Sequence, residues 1–350
     1  MSDIITTRTG EGVQIDVLNQ WLALHASSTG PVSTVRQFSG GFSNLTYLLQ
    51  SERGEYVLRR PPVGANIRSA HDMDREYRVL SLLKPWYGRV PTPLVFCADE
   101  SVLGAPFYIM ERLRGVVLRP GQPGADDLLP ERRREMDVAL IGNLATLHSI
   151  DVEKTGLIAL GKPEGYVERQ VEGWIKRYFS AQTDDIASLQ VLAEWLPGHL
   201  PVSPAPAFLH NDYKYDNVLF TFKDQPTMSG VLDWEMATVG DPLMDLGAAL
   251  AWWTEAGDDA AMRRFNITWM PGHLTRRAAA ECYGEQSGRD LKYLLFYYVF
   301  GVFKNAVIGQ QIYARWKKGV TTDQRFAYLL PMIEGLGRKG VASLDSGQLL

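Results

Sequence analysis

The sequence predicts an α+β fold with a small antiparallel-sheet N-terminal lobe, residues 1–113, and a larger, mostly helical C-terminal lobe, residues 114–350. Two observations support this prediction. Short strand-like runs separated by glycine-containing turns give way to long segments with apolar residues at helical spacing. The chain has 350 residues, a length that suits one unit built from two lobes.

The first lobe opens with an amphipathic pattern over Ile15–His25 that predicts a helix, which Gly30 and Pro31 would end. A second helix is expected over Asp72–Leu83. The strand-like runs are Val32–Phe38, Leu45–Gln50, Tyr56–Arg59, Leu94–Ala98 and Phe107–Met110.

The second lobe follows Gly115–Pro130, whose glycines and prolines predict a loop. Helical spacing of apolar residues then dominates, and no internal repeat is visible. The predicted helices are Glu131–Ser149, Val167–Phe179, Ile186–Leu196, Leu243–Glu255 and Asp290–Trp316.

Composition and charge narrow the class of protein. Apolar residues make up 45% and charged residues 22% of the chain, as in ordinary globular proteins, and the net charge of -4 gives no overall attraction for nucleic acid or a membrane surface. The most apolar run, Leu291–Phe303, is interrupted by Lys292 and is shorter than the ~20 residues that span a bilayer. Without a signal-peptide pattern, and with only Cys97 and Cys282, a cytoplasmic location is expected.

The most informative segment is His210–Asn217, with the sequence HNDYKYDN. It fits H-x-D-x-x-x-x-N, a pattern in which Asp accepts the proton of a substrate hydroxyl during phosphoryl transfer and Asn binds Mg²⁺. Asp212 is therefore the candidate base and Asn217 a candidate metal ligand. A polar turn between two strands is the alternative interpretation.

A second candidate segment, Gly230–Glu235, is an apolar strand that ends in two carboxylates. Oxygen ligands must hold Mg²⁺ against the phosphates of a nucleotide, and Asp233 would supply one. Glu235 is compatible with binding a second ion, orienting the first, or facing water. Farther on, Asp241 is expected to cap a helix, and Asp245 could stabilise the helix dipole or brace the catalytic loop.

A glycine pair lies between two strand-like runs of the first lobe. Such a pair lets backbone N–H groups approach phosphates, although an ordinary hairpin turn uses the same residue types. The candidate phosphate-binding residues are Ser39, Gly40, Gly41, Phe42, Ser43 and Asn44.

One cation is expected to bind the nucleotide phosphates. Arg59 ends the run YVLR at the place where a kinase has the lysine of V-A-I-K, and Glu76 on the next helix would hold it. Arg60 is the alternative, because adjacent strand residues point to opposite faces. A surface position for Arg59 is the other alternative.

The segments HNDYKYDN, GVLDWE and GDPLMDLG, in this order, resemble the aminoglycoside phosphotransferase and choline kinase-like families, which share a protein kinase-like fold. The segments SGGFSNLTY, YVLRRPP, SAHDMDREYRVL, FYIMERLRG and LATLHSIDVEKTGL resemble most the branch that includes the kinase-like domain attached to some acyl-CoA dehydrogenases. The resemblance covers about Val32–Glu255.

The resemblance implies a two-lobed protein kinase-like fold that binds ATP or GTP with Mg²⁺. It implies that Glu111 and Leu113 lie in the hinge that meets the purine and that His210 is a structural brace. Lys214 would neutralise the transferred phosphoryl group, or else lie outside the cleft. Two departures from the pattern are the arginine at position 59 and the missing third glycine of the loop.

The predicted function is that of a small-molecule kinase whose acceptor is a hydroxyl compound, with a hydroxyacyl-CoA favoured by the dehydrogenase-associated branch. An aminoglycoside phosphotransferase and a non-catalytic nucleotide-binding pseudokinase are the alternatives, and the branch suggests a functional link to an acyl-CoA dehydrogenase. A protein kinase is disfavoured, because only eleven residues separate Asp233 from Asp245.

The C-terminal helix pattern leaves two questions open. Its aromatic residues could line a substrate pocket, but a helical core explains the same spacing. The cations that follow could meet CoA phosphates, although a solvated helix end is the expected account. The aromatic residues are Tyr293, Phe296, Tyr297, Phe300 and Phe303, and the cations are Lys304, Arg315, Lys317 and Lys318.

Overall fold

A computed structural model of the chain describes residues 4–8, 10–38, 44–62, 72–121, 125–321 and 323–350. The chain forms two compact units. Unit 1 comprises residues 1–115 and 229–235, and unit 2 comprises residues 116–228 and 236–350. Unit 1 is therefore assembled from two separate stretches of sequence.

An antiparallel sheet is the frame of unit 1. Over the described residues it contains β1 (Ile4–Ile5), β2 (Val32–Phe38), β3 (Leu45–Ser51), β4 (Gly54–Arg60), β5 (Pro93–Cys97) and β6 (Phe107–Glu111), with the helices α1 (Ile15–His25), α2 (Met73–Leu83) and α3 (Glu100–Leu103). The strand order is β1-β2-β3-β4-β6-β5, and each neighbouring pair is antiparallel.

Packing of α1 on one face of this sheet forms the core of unit 1. Leu18 and Leu22 of α1 contact the same cluster as Leu58 of β4 and Phe107 of β6, and all four are almost fully buried. Because side chains alternate along β4, Leu58 and Arg60 share the face toward α1, and Arg59 points to the other face. This alternation positions Arg59 for the site described below.

Unit 2 is mostly helical. Its helices are α4 (Pro130–His148), α5 (Tyr166–Ala181), α6 (Ala187–Trp195), α7 (Pro242–Trp252), α8 (Ala260–Arg263), α9 (Arg276–Ser287), α10 (Leu294–Lys317) and α11 (Leu330–Ser346). Short strands lie between α6 and α7: β7 (Ala207–Leu209), β8 (Val218–Phe222), β9 (Pro226–Val231), in which the chain crosses into unit 1, and β10 (Thr238–Gly240). None of the helices in the described ranges is long and apolar enough to cross a membrane.

Two glycines bring α7 and α10 into close contact. A Cβ added to Gly301 of α10 would overlap the carbonyl group of Gly247 on α7, and one added to Gly247 would overlap the Tyr297 carbonyl. The aromatic residues of α10 fill the surrounding core: Phe296, Tyr297, Phe300 and Phe303 are buried, whereas Tyr293 is 44% exposed. The core interpretation of this helix therefore holds for four of its five predicted aromatic positions.

Candidate active site

The segment His210–Asn217 connects β7 to β8 and presents one carboxylate between two donors. Lys214 Nζ lies 2.8 Å from each Asp212 oxygen, and Asn217 Nδ2 donates to Asp212 Oδ2 over 2.9 Å. The Asp212 side chain keeps 20% of its surface exposed. A charged oxygen that is oriented by its neighbours and still accessible can accept a proton from a bound hydroxyl group.

Asp245 on α7 braces the start of this segment. Its two oxygens accept from the backbone N–H groups of His210, over 2.7 Å, and Asn211, over 2.9 Å. Burial acts to raise the pKa of Asp245, but hydrogen bonds from His148 and the His210 backbone outweigh it, and the pKa lies below its ordinary value. Of the two roles the sequence left open for Asp245, the structure shows the brace.

Asn211 adopts a backbone conformation that few residues other than glycine tolerate, with φ of 66°. Its N–H donates to Asp245, and its side-chain amide donates to the Met236 carbonyl over 3.1 Å. His210 Nδ1 accepts from the Asp212 N–H over 3.2 Å. These bonds fix the turn that aims Asp212, and they give His210 the bracing position that the resemblance implied.

The two tyrosines of the segment anchor it to α4. The Tyr213 hydroxyl donates to the Leu140 carbonyl over 2.9 Å, and the Tyr215 hydroxyl donates to Asp137 over 2.5 Å. Both tyrosine side chains are buried. Asp137 was not identified from the sequence, because a lone acid in a helix pattern gives no sign that it is buried.

Lys304 corrects one sequence-based expectation. It was expected in a solvated helix end, but α10 continues to Lys317, and Lys304 is only 3% exposed. Its Nζ donates to the Asn211 carbonyl over 2.6 Å. Burial lowers the pKa of Lys304 to about 8, although Asp212 and Asp245 act in the opposite direction. The apolar residues on both sides of Lys304 were the signal that could have placed it inside the protein.

In unit 1, Arg59 of β4 and Glu76 of α2 form a buried ion pair. Arg59 Nη1 lies 2.5 Å from Glu76 Oε1, and the two side chains are 10% and 2% exposed. Burial raises the pKa of Glu76, although Arg59 favours its ionised form. Among the described residues, the Arg59 Nε–H has no acceptor.

Asp233 and Glu235 lie beside the same guanidinium group. Arg59 Nη2 is 3.3 Å from Asp233 Oδ1 and 3.7 Å from Glu235 Oε2. Asn44 Nδ2 donates to Glu235 Oε2 over 3.0 Å. Asp233 has φ of 64°, and with Asn211 it is one of the two non-glycine residues with positive φ in the described ranges. Backbone strain of this kind is concentrated at functional sites.

Arg60, the alternative cation, points elsewhere. Its guanidinium donates to the carbonyl oxygens of Leu103, over 2.6 Å, and Glu11, over 2.9 Å. These contacts occupy Arg60 in the structure of unit 1. Arg59 is therefore the better candidate for binding phosphate.

The remaining residues that were predicted to bind the nucleotide are at the end of β6 and in the loop after β2. Glu111 is the last residue of β6 and Leu113 follows two residues later. The Glu111 N–H donates to the Thr92 carbonyl over 2.9 Å, and its carboxylate accepts from the Thr92 hydroxyl over 2.6 Å. The loop residues Ser39, Gly40, Gly41, Phe42 and Ser43 lie outside the described residues.

The candidate metal ligands have the chemistry that Mg²⁺ requires. Asp233 and Glu235 offer carboxylate oxygens, and the Asn217 amide, whose nitrogen donates to Asp212, offers its oxygen. Hard oxygen donors of this kind suit Mg²⁺, which also keeps water and phosphate ligands. In the described part of the chain, His, Cys, Asp and Glu do not assemble a group of three that could hold a metal ion. The agreement between these residues and a Mg²⁺ site therefore rests on the type of their donor atoms.

Comparison with known proteins identifies one matching family. A protein-family model described as the phosphotransferase enzyme family matches residues 34–281. Acyl-CoA dehydrogenase family member 11 of Gallus gallus is 33% identical over 314 residues, which cover 88% of this chain and 40% of the relative. The chain thus spans about two fifths of the length of that relative.

Solved structures share the fold. A Ralstonia eutropha JMP134 protein, provisionally named an aminoglycoside phosphotransferase, is 30% identical with a TM-score of 0.78, and the match covers 95% of this chain and 99% of that one. Spectinomycin phosphotransferase in complex with ADP and spectinomycin is 14% identical with a TM-score of 0.59, over 94% of this chain and 99% of its own. The predicted resemblance and the two-lobed kinase-like α+β fold are confirmed.

Proposed function

Because the chain belongs to the phosphotransferase enzyme family, we propose that it is a small-molecule kinase that transfers the γ-phosphoryl group of MgATP or MgGTP to a substrate hydroxyl. The observation that supports this proposal best is the Asp212 carboxylate, oriented between the Lys214 ammonium and the Asn217 amide at 2.8–2.9 Å. That arrangement provides a base for the hydroxyl proton and a cation beside it.

Each unit would supply part of the chemistry. In the C-terminal lobe, residues 114–350, Asp212 would accept the hydroxyl proton, and Lys214 would offset negative charge on the transferred group. Phosphoryl transfer depends mainly on positioning and charge stabilisation, which explains why Asp245 and Lys304 hold the catalytic segment so firmly.

The N-terminal lobe, residues 1–113, would bind the nucleotide. Arg59, held by Glu76, would bind phosphate together with the loop at positions 39–44, and backbone groups at Glu111 and Leu113 would meet the purine. Asn217, Asp233 and Glu235 would hold Mg²⁺. When bound, the ion neutralises charge on the phosphates. The fold shared with an ADP complex supports a nucleotide as the phosphoryl donor.

For the acceptor, we favour a hydroxyacyl-CoA-like compound. The support is the 33% identity with a relative named as an acyl-CoA dehydrogenase family member. The same relative supports a functional link to an acyl-CoA dehydrogenase, and the scarcity of cysteine supports the cytoplasm as the location. An aminoglycoside acceptor is the second candidate, which the provisional name of the 30% identical structure supports.

The test is a phosphoryl-transfer screen with MgATP and MgGTP in which mass spectrometry detects the phosphorylated product. The acceptors are hydroxyacyl-CoAs, aminoglycosides, choline and sugars. We expect transfer to a hydroxyacyl-CoA, and we expect Asp212→Asn to slow it by about 10²–10⁴-fold, the usual contribution of a general base. The matched control Asp224→Asn changes an exposed aspartate after β8 and should leave the rate within twofold.

Three results would contradict parts of the proposal. An unchanged rate in Asp212→Asn would show that Asp212 is not the base. Transfer to aminoglycosides alone would replace the favoured acceptor by the second candidate. Nucleotide binding without transfer to any acceptor would favour the non-catalytic pseudokinase.

A further inference from the structure

Helices α5 and α10 lie side by side and run in the same direction. Lys304 Nζ lies 5.8 Å from the centre of the Trp174 ring, Gln310 Nε2 donates to the Ala181 carbonyl over 2.9 Å, and Lys317 pairs with Asp184 over 3.0 Å. Residues that come later in α5 therefore contact residues that come later in α10. A groove between these helices therefore has one end near Trp174 and the other near the end of α10.

The groove is concave and its charged lining is cationic. Its volume is about 470 Å³, and its charged lining residues are Lys176 and Arg177 of α5, Arg315 of α10 and Lys318 just beyond α10. Among the described residues, no carboxylate lines it. A concave surface with four cations and no acid attracts anions and repels cations.

These four cations differ in their ion pairing from the adjacent Lys317. Within the described ranges none of them forms an ion pair with a carboxylate, whereas the adjacent Lys317 is paired with Asp184. The Arg177 guanidinium stacks over the Trp174 ring at 4.8 Å, which fixes its position at the wall of the groove. The groove thus holds positive charge that a ligand could complement.

The α10 side of the groove lies farther along that helix than Lys304, which contacts the catalytic segment. Lys304 binds the Asn211 carbonyl, next to Asp212, and Gln311, Arg315 and Lys318 follow it by 7, 11 and 14 residues. At 100° per residue these positions stay within about 40° of the direction of Lys304, so they share one face of α10. At 1.5 Å per residue they lie about 10–20 Å farther along the helix.

We propose that the groove between α5 and α10 binds the phosphate-bearing end of the acceptor whose hydroxyl group reaches Asp212. This inference rests on the proposed kinase function and narrows its substrate class. The acceptor is a long compound with a hydroxyl at one end and phosphates about 10–20 Å away. A CoA thioester has this form, whereas a polycationic aminoglycoside would be repelled by the groove.

The binding test uses coenzyme A itself and titration calorimetry at two salt concentrations. We expect the wild-type protein to bind coenzyme A, and the charge reversal Arg315→Glu with Lys318→Glu to weaken binding at least tenfold. The neutral pair Arg315→Gln with Lys318→Gln should fall between them, and it serves as the second variant if charge reversal impairs folding. The control Lys223→Glu reverses an exposed charge after β8 and should bind like wild type.

Additional ligands in the same binding experiment identify which phosphate compound the groove binds. Pantetheine, which lacks them, should bind equally weakly to the wild type and the charge-reversed variant. Displacement of coenzyme A by ATP would overturn the inference, because coenzyme A and the nucleotide would then share one site. Binding to vesicles of phosphatidylglycerol but not to coenzyme A, or equal affinity in all variants, would also overturn it.

Kinetics separate this inference from the proposed function. With a hydroxyacyl-CoA acceptor, charge reversal should raise KM at least tenfold and have little effect on KM for the matching hydroxyacyl-pantetheine. If the wild type transfers the phosphoryl group and the variant has the same KM, the groove does not bind the acceptor, but the proposed kinase function stands. If coenzyme A binding depends on Arg315 and Lys318 but no hydroxyl compound is phosphorylated, the proposed kinase function is wrong and the groove is an anion-binding site.

Discussion

The Arg59 guanidinium lies 2.5 Å from the Glu76 carboxylate, and this ion pair is almost completely buried. Removing Glu76 would take the nearest counter-charge from a buried guanidinium and leave Asp233 and Glu235, at 3.3 and 3.7 Å, to offset it. We therefore expect Glu76→Gln to lower the free energy of unfolding by about 3 kcal/mol and to raise KM for the nucleotide. Urea denaturation and initial-rate kinetics would measure these effects.

A matched control is available for Glu76. Glu135 pairs with Arg132 at 2.8 Å on the surface of α4, where the two side chains are 50% and 39% exposed. Exposed pairs contribute about 0–1 kcal/mol, so Glu135→Gln should have little effect on the free energy of unfolding. Equal losses in the two variants would contradict a special role for the buried pair.

The positive φ of Asp233 gives a second prediction. Both Asp233→Gly and Asp233→Ala remove the carboxylate and should abolish Mg²⁺-dependent transfer, but glycine tolerates φ of 64° far better than alanine. Asp233→Ala should therefore be less stable than Asp233→Gly by about 1 kcal/mol. Thermal and urea unfolding would show the order, and an alanine variant as stable as the glycine variant would contradict it.

Lys304 predicts a pH dependence of stability. Its pKa is about 8 in the folded protein and 10.5 for an ordinary lysine, so between these values the unfolded chain binds more protons than the folded one. The stability of the wild type should rise with pH in this window relative to Lys304→Met, by on the order of 2–3 kcal/mol in total. The groups that face Lys304 are Asp212, Asp245 and Lys214.

Urea denaturation of wild type and Lys304→Met at pH 7, 8, 9 and 10 would test this prediction. Other titrating groups are the same in both proteins, so the difference between the two curves isolates Lys304. A difference that stays constant with pH would mean that Lys304 has an ordinary pKa. Lys292→Met, at an exposed position before α10, provides the matched control variant.

The contact between α7 and α10 gives a fourth prediction. Gly301→Ala would place a methyl group against the Gly247 carbonyl, and neither helix backbone can shift without disturbing its neighbours. The expected loss is about 3 kcal/mol, at the upper end for overpacking. Gly198→Ala meets nothing within 4 Å and should be neutral. Similar melting temperatures for these two variants would argue against the tight contact.

The sequence allowed much of the fold to be predicted, because most elements have periodic apolar patterns. The predicted helix Ile15–His25 and strand Val32–Phe38 have the bounds of α1 and β2. Helix α11 was not predicted, since Gly335, Gly337 and Gly340 weaken helix propensity. Its glycines are needed for packing: added Cβ atoms would overlap Ser188 at Gly337 and Leu192 at Gly340.

The candidate site was predictable where local sequence determines the chemistry. The spacing of Asp212 and Asn217 and the pairing of Arg59 with Glu76 follow from patterns within short segments, and the structure places the members of each pair in contact. The roles of these residues in catalysis stay predictions. Lys304 and Asp137 could not be placed, because their burial depends on helices that are distant in sequence.

The insertion of residues 229–235 into unit 1 affects how the protein can be synthesised and divided. Strand β6 ends at residue 111, yet unit 1 also needs a segment more than a hundred residues farther along the chain. During translation, unit 1 cannot complete its structure until residue 235 has left the ribosome. For the same reason, a fragment that stops at residue 115 would lack Asp233 and leave the Arg59 guanidinium without one of its acidic neighbours.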